Sequence, residues 1–290
     1  MTQVKFLLIG VFILGAFSVS AIDYGGINKA KQLEKDKRYE EAIAVYESLS
    51  EKANNDQDDQ HYMIDASNIA FKSLKDQEKA FKLAERVKNQ ERRAFVMMSL
   101  YKPEEIESKY KDVDFLTWPE DIRAEAFKNR GGAYNSLKKY NEALADLEKA
   151  FALPGGSHVI KGASANIAGD IYLSKMKDKA KAEQMYRNAL AATKAGYAWR
   201  NESLLKLTDL LLKNKKNKEA LAIYEGIDTK NIEIPYWKIA VSRGYSKALA
   251  ANNEKLKALE QLNIALQTES KPEVKKQIQA EIDKMSEDML

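Results

Sequence analysis

The stretch AEAFKNRGGAYNSLKKYNEALADLEKAF, Ala124–Phe151, decides the fold because small and large side chains alternate in it at helical spacing. Ala143, Leu147 and Ala150 follow one another at steps of four and three residues, which places them on one face of a helix. Upstream, Gly131 lies on the stripe of a second helix. Two antiparallel helices approach closely where small residues meet, so the stretch predicts a helical hairpin in which Gly131 packs near Ala143.

The same triplet spacing recurs along most of the chain. The leading alanines are separated by 38, 63, 39, 38 and 38 residues, and each triplet follows another apolar stripe and a short polar turn. The repeated unit is therefore a hairpin of about 34 to 38 residues, and such hairpins bury their faces only by stacking on one another. The six triplets are Ala42/Tyr46/Leu49, Ala80/Ala84/Val87, Ala143/Leu147/Ala150, Ala182/Tyr186/Ala189, Ala220/Tyr224/Ile227 and Ala258/Leu262/Ala265.

Two of these hairpins carry a recognisable pattern. Ala124–Gly156 resembles a tetratricopeptide repeat (TPR) through AEAF…G..Y..L..Y.EAL.D...A, and Asn166–Leu190 is similar, with one extra residue in its turn. The resemblance extends over roughly Asp23–Gln267. It implies an all-α fold: a right-handed α-solenoid of stacked antiparallel helix pairs, closed by a C-terminal capping helix.

The spacing divides the chain into segments, of which the link between two groups of hairpins is the least regular. The gap of 63 residues predicts a degraded hairpin at Gln90–Tyr110. In the link, Phe115 and Trp118 are either a binding loop or packing residues, and we expect packing. The predicted segments are a signal peptide at 1–21, hairpins at 22–111, the link at 112–121, hairpins at 122–267 and the capping helix at 268–290.

The N-terminal residues predict export. Lys5 precedes the apolar run Phe6–Phe17, which is shorter than the roughly 20 residues that span a bilayer, and Val19-Ser20-Ala21 is a small-residue cleavage pattern. Cleavage after Ala21 would place the mature chain in the periplasm or outside the cell. The alternative is a membrane anchor at residues 6–22. Cysteine is absent, which excludes disulfides, thiolate metal sites and a lipid-modified cysteine.

Groups suited to catalysis or metal binding are sparse. The only histidines, His61 and His158, are far apart in the sequence, and the HExxH, GxSxG and phosphate-loop motifs are missing. The 47 basic and 43 acidic side chains nearly cancel, which disfavours a dedicated nucleic-acid binder. We therefore expect no enzymatic activity, no catalytic residues, no metal, no cofactor and no nucleic-acid partner.

Partner binding is the function that the TPR resemblance implies, because the first helices of successive TPR hairpins line an inner face where partners bind. Lys128 and Asn166 resemble two members of a carboxylate clamp known in the family, whereas Gly132 lacks the side chain that a third member needs. The candidate binding residues on the concave face are Tyr62, Asp65, Lys72, Lys128, Asn135, Asn166, Asp170, Asp209, Arg243 and Lys247.

The leading hypothesis is a scaffold of the cell envelope that binds a peptide or helical segment of another protein. Any membrane association would come from the N-terminal segment alone. One alternative is a structural protein that assembles with itself through its convex face or the link. The other is a protein that binds glycans or peptidoglycan.

Overall fold

A computed structural model describes residues 23–193 and 198–287, so the predicted signal peptide lies outside the described residues. Every regular element in this part of the chain is helical, and none of its helices has the length and apolar character needed to cross a membrane. The chain divides into two compact units, with the boundary between Leu100 and Tyr101. This boundary precedes the predicted link.

The first unit contains five helices in its described residues. They are α1 (Tyr24–Lys35), α2 (Tyr39–Glu51), α3 (Asp56–Asn68), α4 (Gln77–Glu85) and α5 (Gln90–Met98). Helix α3 continues into a π-helical segment at Ile69–Leu74. Helices α1 and α2 pack as one hairpin and α3 and α4 as the next, with α5 against both α3 and α4.

The second unit continues the same arrangement. Its helices are α6 (Pro103–Tyr110), α7 (Glu120–Ser136), α8 (Tyr140–Ala152), α9 (His158–Ile171), α10 (Lys179–Ala192), α11 (Ala198–Lys213), α12 (Asn217–Tyr224), α13 (Pro235–Ala251), α14 (Lys255–Thr268) and α15 (Pro272–Glu287). The pairs α7/α8, α9/α10, α11/α12 and α13/α14 each pack together. The first helices of these pairs, α7, α9, α11 and α13, also contact one another in succession. The predicted all-α, stacked-pair fold class is confirmed. Helices α5 and α6 fall where the degraded hairpin is predicted, but they belong to different units, and their pairing stays a prediction.

The alanine triplets form the packing stripe. Every member of the six triplets is buried except the half-buried Ile227, so the helical spacing identified the core correctly. Gly131 shows why small residues are needed: a Cβ there would lie 3.0 Å from Leu147 and 3.2 Å from the carbonyl oxygen of Ala143. The predicted close approach of these helices is confirmed. Gly169 is tighter still, since a Cβ would lie 2.6 Å from the ring of Tyr186.

Each hairpin turn contains one residue in the left-handed conformation. Five of the six are lysines, although glycine or asparagine is favoured there because a Cβ is strained at positive φ. The turn of α7/α8 closes when the N–H of Lys139 donates to the carbonyl of Tyr134 at 2.8 Å. The extra residue predicted after α9 is absorbed by a π-helical turn, Tyr172–Met176. The left-handed residues are Lys37, Lys75, Lys138, Lys177, Lys215 and Asn253.

The link packs against α7. Phe115 and Trp118 are both buried, with ring centroids 4.7 Å apart, and Phe115 meets Phe127 of α7 edge to face at 5.1 Å. The expected packing role is confirmed. Self-assembly through the link stays a prediction, but the rings of Phe115 and Trp118 are buried within the second unit and offer no exposed aromatic surface for it.

A buried ion pair holds the link in place. The guanidinium of Arg130 donates to Asp146 on α8 at 2.6 and 2.9 Å, and both side chains are less than a tenth exposed. A further N–H of the same guanidinium donates to the carbonyls of Tyr110 and Val113 at 2.6 and 2.9 Å. The group also lies 4.4 Å from the centre of the Phe115 ring. Arg130 therefore joins α6, the link, α7 and α8.

The last helix closes the stack, as predicted. Ile278 of α15 is fully buried against Leu262 and Ala265 of α14, and Ile282 and Met285 pack beside it. The apolar stripe of α15 thus covers the face that α14 would otherwise expose.

Candidate functional site

Two of the predicted binding residues are in the packed interior. Tyr62 is 4% exposed, and burial raises the pKa of its hydroxyl. Asn166 is 1% exposed, and its Oδ1 accepts a hydrogen bond from Ser203 of α11 at 3.1 Å. The prediction that these two side chains face a partner is wrong, because both lie where neighbouring helices meet. The clamp resemblance therefore loses Asn166 as well as the side chain missing at Gly132.

Asp65 and Lys72 share a small cleft in the first unit. The cleft is about 240 Å³ and is lined by α1, α2, α3 and the π-helical turn. At its base the hydroxyl of Tyr46 donates to Glu34 at 3.2 Å. Burial, and then the negative charges of Asp65 and Glu34, raise the pKa of that hydroxyl above its usual value near 10, so it stays protonated at pH values where a free tyrosine ionises.

The predicted residues on α7 and α9 lie on the row of first helices. Lys128 is mostly buried and lies 3.4 Å from Glu125, and Asn135 is half-buried. Asp170 accepts hydrogen bonds from the hydroxyl of Tyr186 and from Lys206 of α11, both at 2.7 Å.

Lys206 links two successive first helices, and the sequence reasoning missed it. It bridges Asp170 of α9 and Glu202 of its own helix, each at 2.7 Å. The available local signal was the acidic residue one turn earlier on α11, which gives an i,i+4 pair. The contact with Asp170 depends on how α9 and α11 pack.

Three predicted residues meet between α11 and α13. Asp209, Arg243 and Lys247 line a cleft of about 340 Å³, with Leu205 and Leu212 among its apolar walls. We refer to it as the α11–α13 cleft. Asp209 forms an exposed pair with Lys213 on its own helix, at 2.6 Å. The cleft thus has charged residues from two successive hairpins over apolar side chains.

A second cleft adjoins it at the end of the stack. This cap cleft, about 390 Å³, is lined by side chains of α13, α14 and α15, and it shares Arg243 and Lys247 with the α11–α13 cleft. Arg243 also forms an ion pair with Glu281 of α15. Arg243 therefore stands on the wall between the two clefts, held in place by the capping helix.

The largest of these cavities lies at the start of α13 and was missed by the sequence reasoning. It is about 530 Å³, and the half-buried Trp237 lines it. The neighbouring Ile234 and Tyr236 are 52% and 68% exposed. The signal in the sequence was the stretch IEIPYW, whose apolar residues the helical spacing does not explain.

Among residues 23–193 and 198–287, no group of three or more His, Asp or Glu side chains is arranged to hold a metal ion. The clefts described above are lined by side chains of several helices.

No protein-family model and no curated protein matches the chain. Among solved structures, the chain is similar to the C-terminal part of a TPR repeat-containing protein from Cytophaga hutchinsonii, with 15% identity over 83% of this chain and 78% of that one, at a TM-score of 0.40. It is also similar to the TPR2AB-domain–pHSP90 complex of yeast Sti1, with 15% identity over 90% and 95%, at 0.30. A third similar structure is a TPR repeats protein from Bacteroides fragilis, with 17% identity over 90% and 97%, at 0.24.

At TM-scores below 0.5 the whole chains do not superpose closely, so these likenesses carry no weight for function. The architecture rests on the hairpins themselves: paired helices, one left-handed residue in each turn, and small residues such as Gly131 and Gly169 where helices come close. Each unit is built from helices packed in successive pairs, the all-α architecture that the sequence resemblance to tetratricopeptide repeats implies.

Proposed function

We propose that the protein is a non-enzymatic scaffold that binds a segment of another protein along the row of first helices α7, α9, α11 and α13. The α11–α13 cleft carries this proposal, because it combines Asp209, Arg243 and Lys247 with an apolar wall. Residues from successive hairpins would contribute about 0.5–2 kcal/mol each, with a few dominating.

The charges already present along this row support a polar partner. Asp209 is paired with Lys213, and Arg243 with Glu281, so each carboxylate is matched within the chain. A partner can compete for these exposed or half-exposed pairs at small cost, since such pairs are worth little in water. Binding would therefore exchange one set of ion pairs for another while covering the apolar wall.

The cell envelope is the compartment that we propose for this activity. Its support is the sequence pattern at Lys5, Phe6–Phe17 and Val19-Ser20-Ala21. Mass spectrometry of the exported product tests it: loss of residues 1–21 is expected, and a retained N-terminus in a membrane fraction would favour the anchor.

Site-specific photo-crosslinking tests the binding face. A photoreactive phenylalanine analogue replaces Asp209 or Lys247, which line the α11–α13 cleft, or Lys218 or Glu260, which are exposed on second helices outside both clefts. We expect a discrete crosslinked product in cells at the first two positions only. Equal crosslinking at all four positions, or crosslinking confined to Lys218 and Glu260, would refute the proposed face.

Glycan binding is a second candidate that one observation favours. Tyr236 and Trp237 place two aromatic rings, 4.8 Å apart and edge to face, beside a cavity that also presents Asn201 and Glu233. Exposed rings with nearby polar groups suit a ligand that is apolar on one face and hydroxylated at its edges. A thermal shift with soluble peptidoglycan fragments, abolished by Trp237→Ala, is the expected result. The absence of any shift would eliminate this candidate.

A further inference from the structure

The cap cleft is lined by three helices, and its residues other than Arg243 and Lys247 lie outside the α11–α13 cleft. Its walls come from α13, α14 and α15, at the end of the second unit. Helix α15 forms one wall and packs its apolar stripe on α14 at the same time. The cleft therefore exists only because α15 packs on α14 at the end of the second unit.

The charge of the cleft is strongly unbalanced. Arg243, Lys247, Lys255 and Lys284 line it, and Glu281 is the one carboxylate among the lining residues. Arg243 already pairs with Glu281, so that negative charge is matched. Lys247 and Lys284 are exposed and form no ion pair with any residue in the described part of the chain. The basic side chains therefore converge on a concave surface with no internal counter-charge for these two lysines.

The floor of the cleft is apolar. Leu262, Met285 and Ala250 line it between the basic side chains. Ser246, which is 1% exposed, also lines the cleft, and its hydroxyl has no hydrogen-bond partner in the described part of the chain.

We propose that the cap cleft binds an acidic segment of a partner protein, with an apolar side chain of that segment on Leu262 and Met285 and its carboxylates at Lys247 and Lys284. This inference deepens the proposed scaffold function and rests on it. Charge complementarity selects the anionic partner, and the apolar floor selects a peptide over a simple anion. The concave shape favours a protein segment, because a membrane surface would meet protruding side chains.

The test uses the full chain and a defined probe. The probe is a fluorescein-labelled helical peptide with Leu at positions i, i+3, i+4 and i+7 and Glu elsewhere. Two comparison peptides replace every Glu by Lys, or every Leu by Ser. Binding is followed by fluorescence anisotropy at low and high salt. We expect saturable binding of the Glu/Leu peptide that weakens as salt rises, and at least tenfold weaker binding of either comparison peptide.

The decisive variant is Lys247→Glu/Lys284→Glu, which should weaken binding of the Glu/Leu peptide at least tenfold. Both side chains are exposed, so the fold should be retained, and circular dichroism verifies this. The matched control is Lys179→Glu/Lys218→Glu, which changes the net charge equally at exposed positions outside the cleft and should leave the affinity unchanged.

Three results would overturn the inference: equal binding of the Lys/Leu peptide, an unchanged affinity in Lys247→Glu/Lys284→Glu, or binding of phosphatidylglycerol vesicles without binding of the peptide. The last result would assign the basic cleft to lipid. If the peptide fails but crosslinking at Asp209 persists, only the acidic-segment inference is lost. If crosslinking at Asp209 also fails, the scaffold proposal is lost with it.

Discussion

Replacing Arg130 by methionine should destabilise the second unit more than any exposed substitution of the same kind. Arg130→Met keeps the length of the side chain and removes its charge. Asp146 is then left buried without its partner, since both side chains are less than a tenth exposed. The carbonyls of Tyr110 and Val113 lose their donor at the same time.

The magnitude follows from this burial. Removing one partner of a buried, bidentate ion pair costs about 3–5 kcal/mol, because the remaining charge is desolvated without compensation. The matched control is Lys213→Met, which breaks the pair with Asp209 at a similar distance of 2.6 Å but with side chains 70% and 61% exposed. An exposed pair contributes about 0–1 kcal/mol. The two substitutions should therefore differ by at least about 2 kcal/mol.

Urea unfolding measures the difference. Replacing Trp199 and Trp237 by Phe leaves Trp118, which packs on Phe115 in the link, as the one tryptophan reporter of the second unit. The double variant Arg130→Met/Asp146→Leu should recover part of the loss, because both charges are then gone. A cost below about 1 kcal/mol for Arg130→Met, or a double variant no more stable than the single one, would refute the reasoning.

The remaining predictions concern turns, helix contacts and pH. Lys138→Gly should raise the free energy of unfolding by about 0.5–1 kcal/mol, because φ is +61° at this turn residue and glycine adopts that conformation without strain. Ala145→Gly, in the middle of α8, should lower the free energy of unfolding by a similar amount. The midpoints of urea unfolding measure both changes. Gly169→Ala should destabilise the fold by about 1–3 kcal/mol, because the new methyl group would overpack against the ring of Tyr186. Gly132→Ala should stabilise the fold, because a Cβ there meets no other atom and alanine favours the helix. A thermal melt in which Gly169→Ala is the more stable variant would contradict the close contact with Tyr186. Burial, and then the hydrogen bond to Glu148, raises the pKa of the Tyr172 hydroxyl to about 12. Because the folded state holds this proton more tightly than the unfolded chain, the contribution to stability is complete below pH about 10 and is lost as the pH rises towards 12. In Tyr172→Phe the free energy of unfolding, measured by urea titration at a series of pH values, should fall less steeply as the pH rises.

Helical spacing identified most of the architecture because packing between adjacent helices is periodic. The alanine triplets predicted which residues are buried, and Gly131 predicted where α7 and α8 come close. The extra residue after α9 was also visible in the sequence, but the sequence did not show that a π-helical turn accommodates it. These features depend on residues close in sequence, so the sequence alone carries the signal.

The candidate site was predicted less well, since it depends on which helices become neighbours. Tyr62 and Asn166 lie on first helices as predicted, but both are buried, Tyr62 beside Leu49 of α2 and Asn166 against Ser203 of α11. Lys206 was missed because its partner, Asp170, is 36 residues away. Asp209, Arg243 and Lys247 were predicted separately, and the structure brings them into one cleft.

The sequence by itself determined that the chain is a series of helical hairpins, because a repeated spacing of small and large residues permits one way of packing neighbouring helices. Tertiary structure alone decided which polar side chains are buried, which are paired and which remain available. Burial of Arg130 with Asp146, and exposure of Lys247 and Lys284 around an apolar floor, both arise from contacts between residues far apart in the sequence. Such contacts fix the local dielectric and the counter-charges, and those two quantities determine what a charged side chain can do.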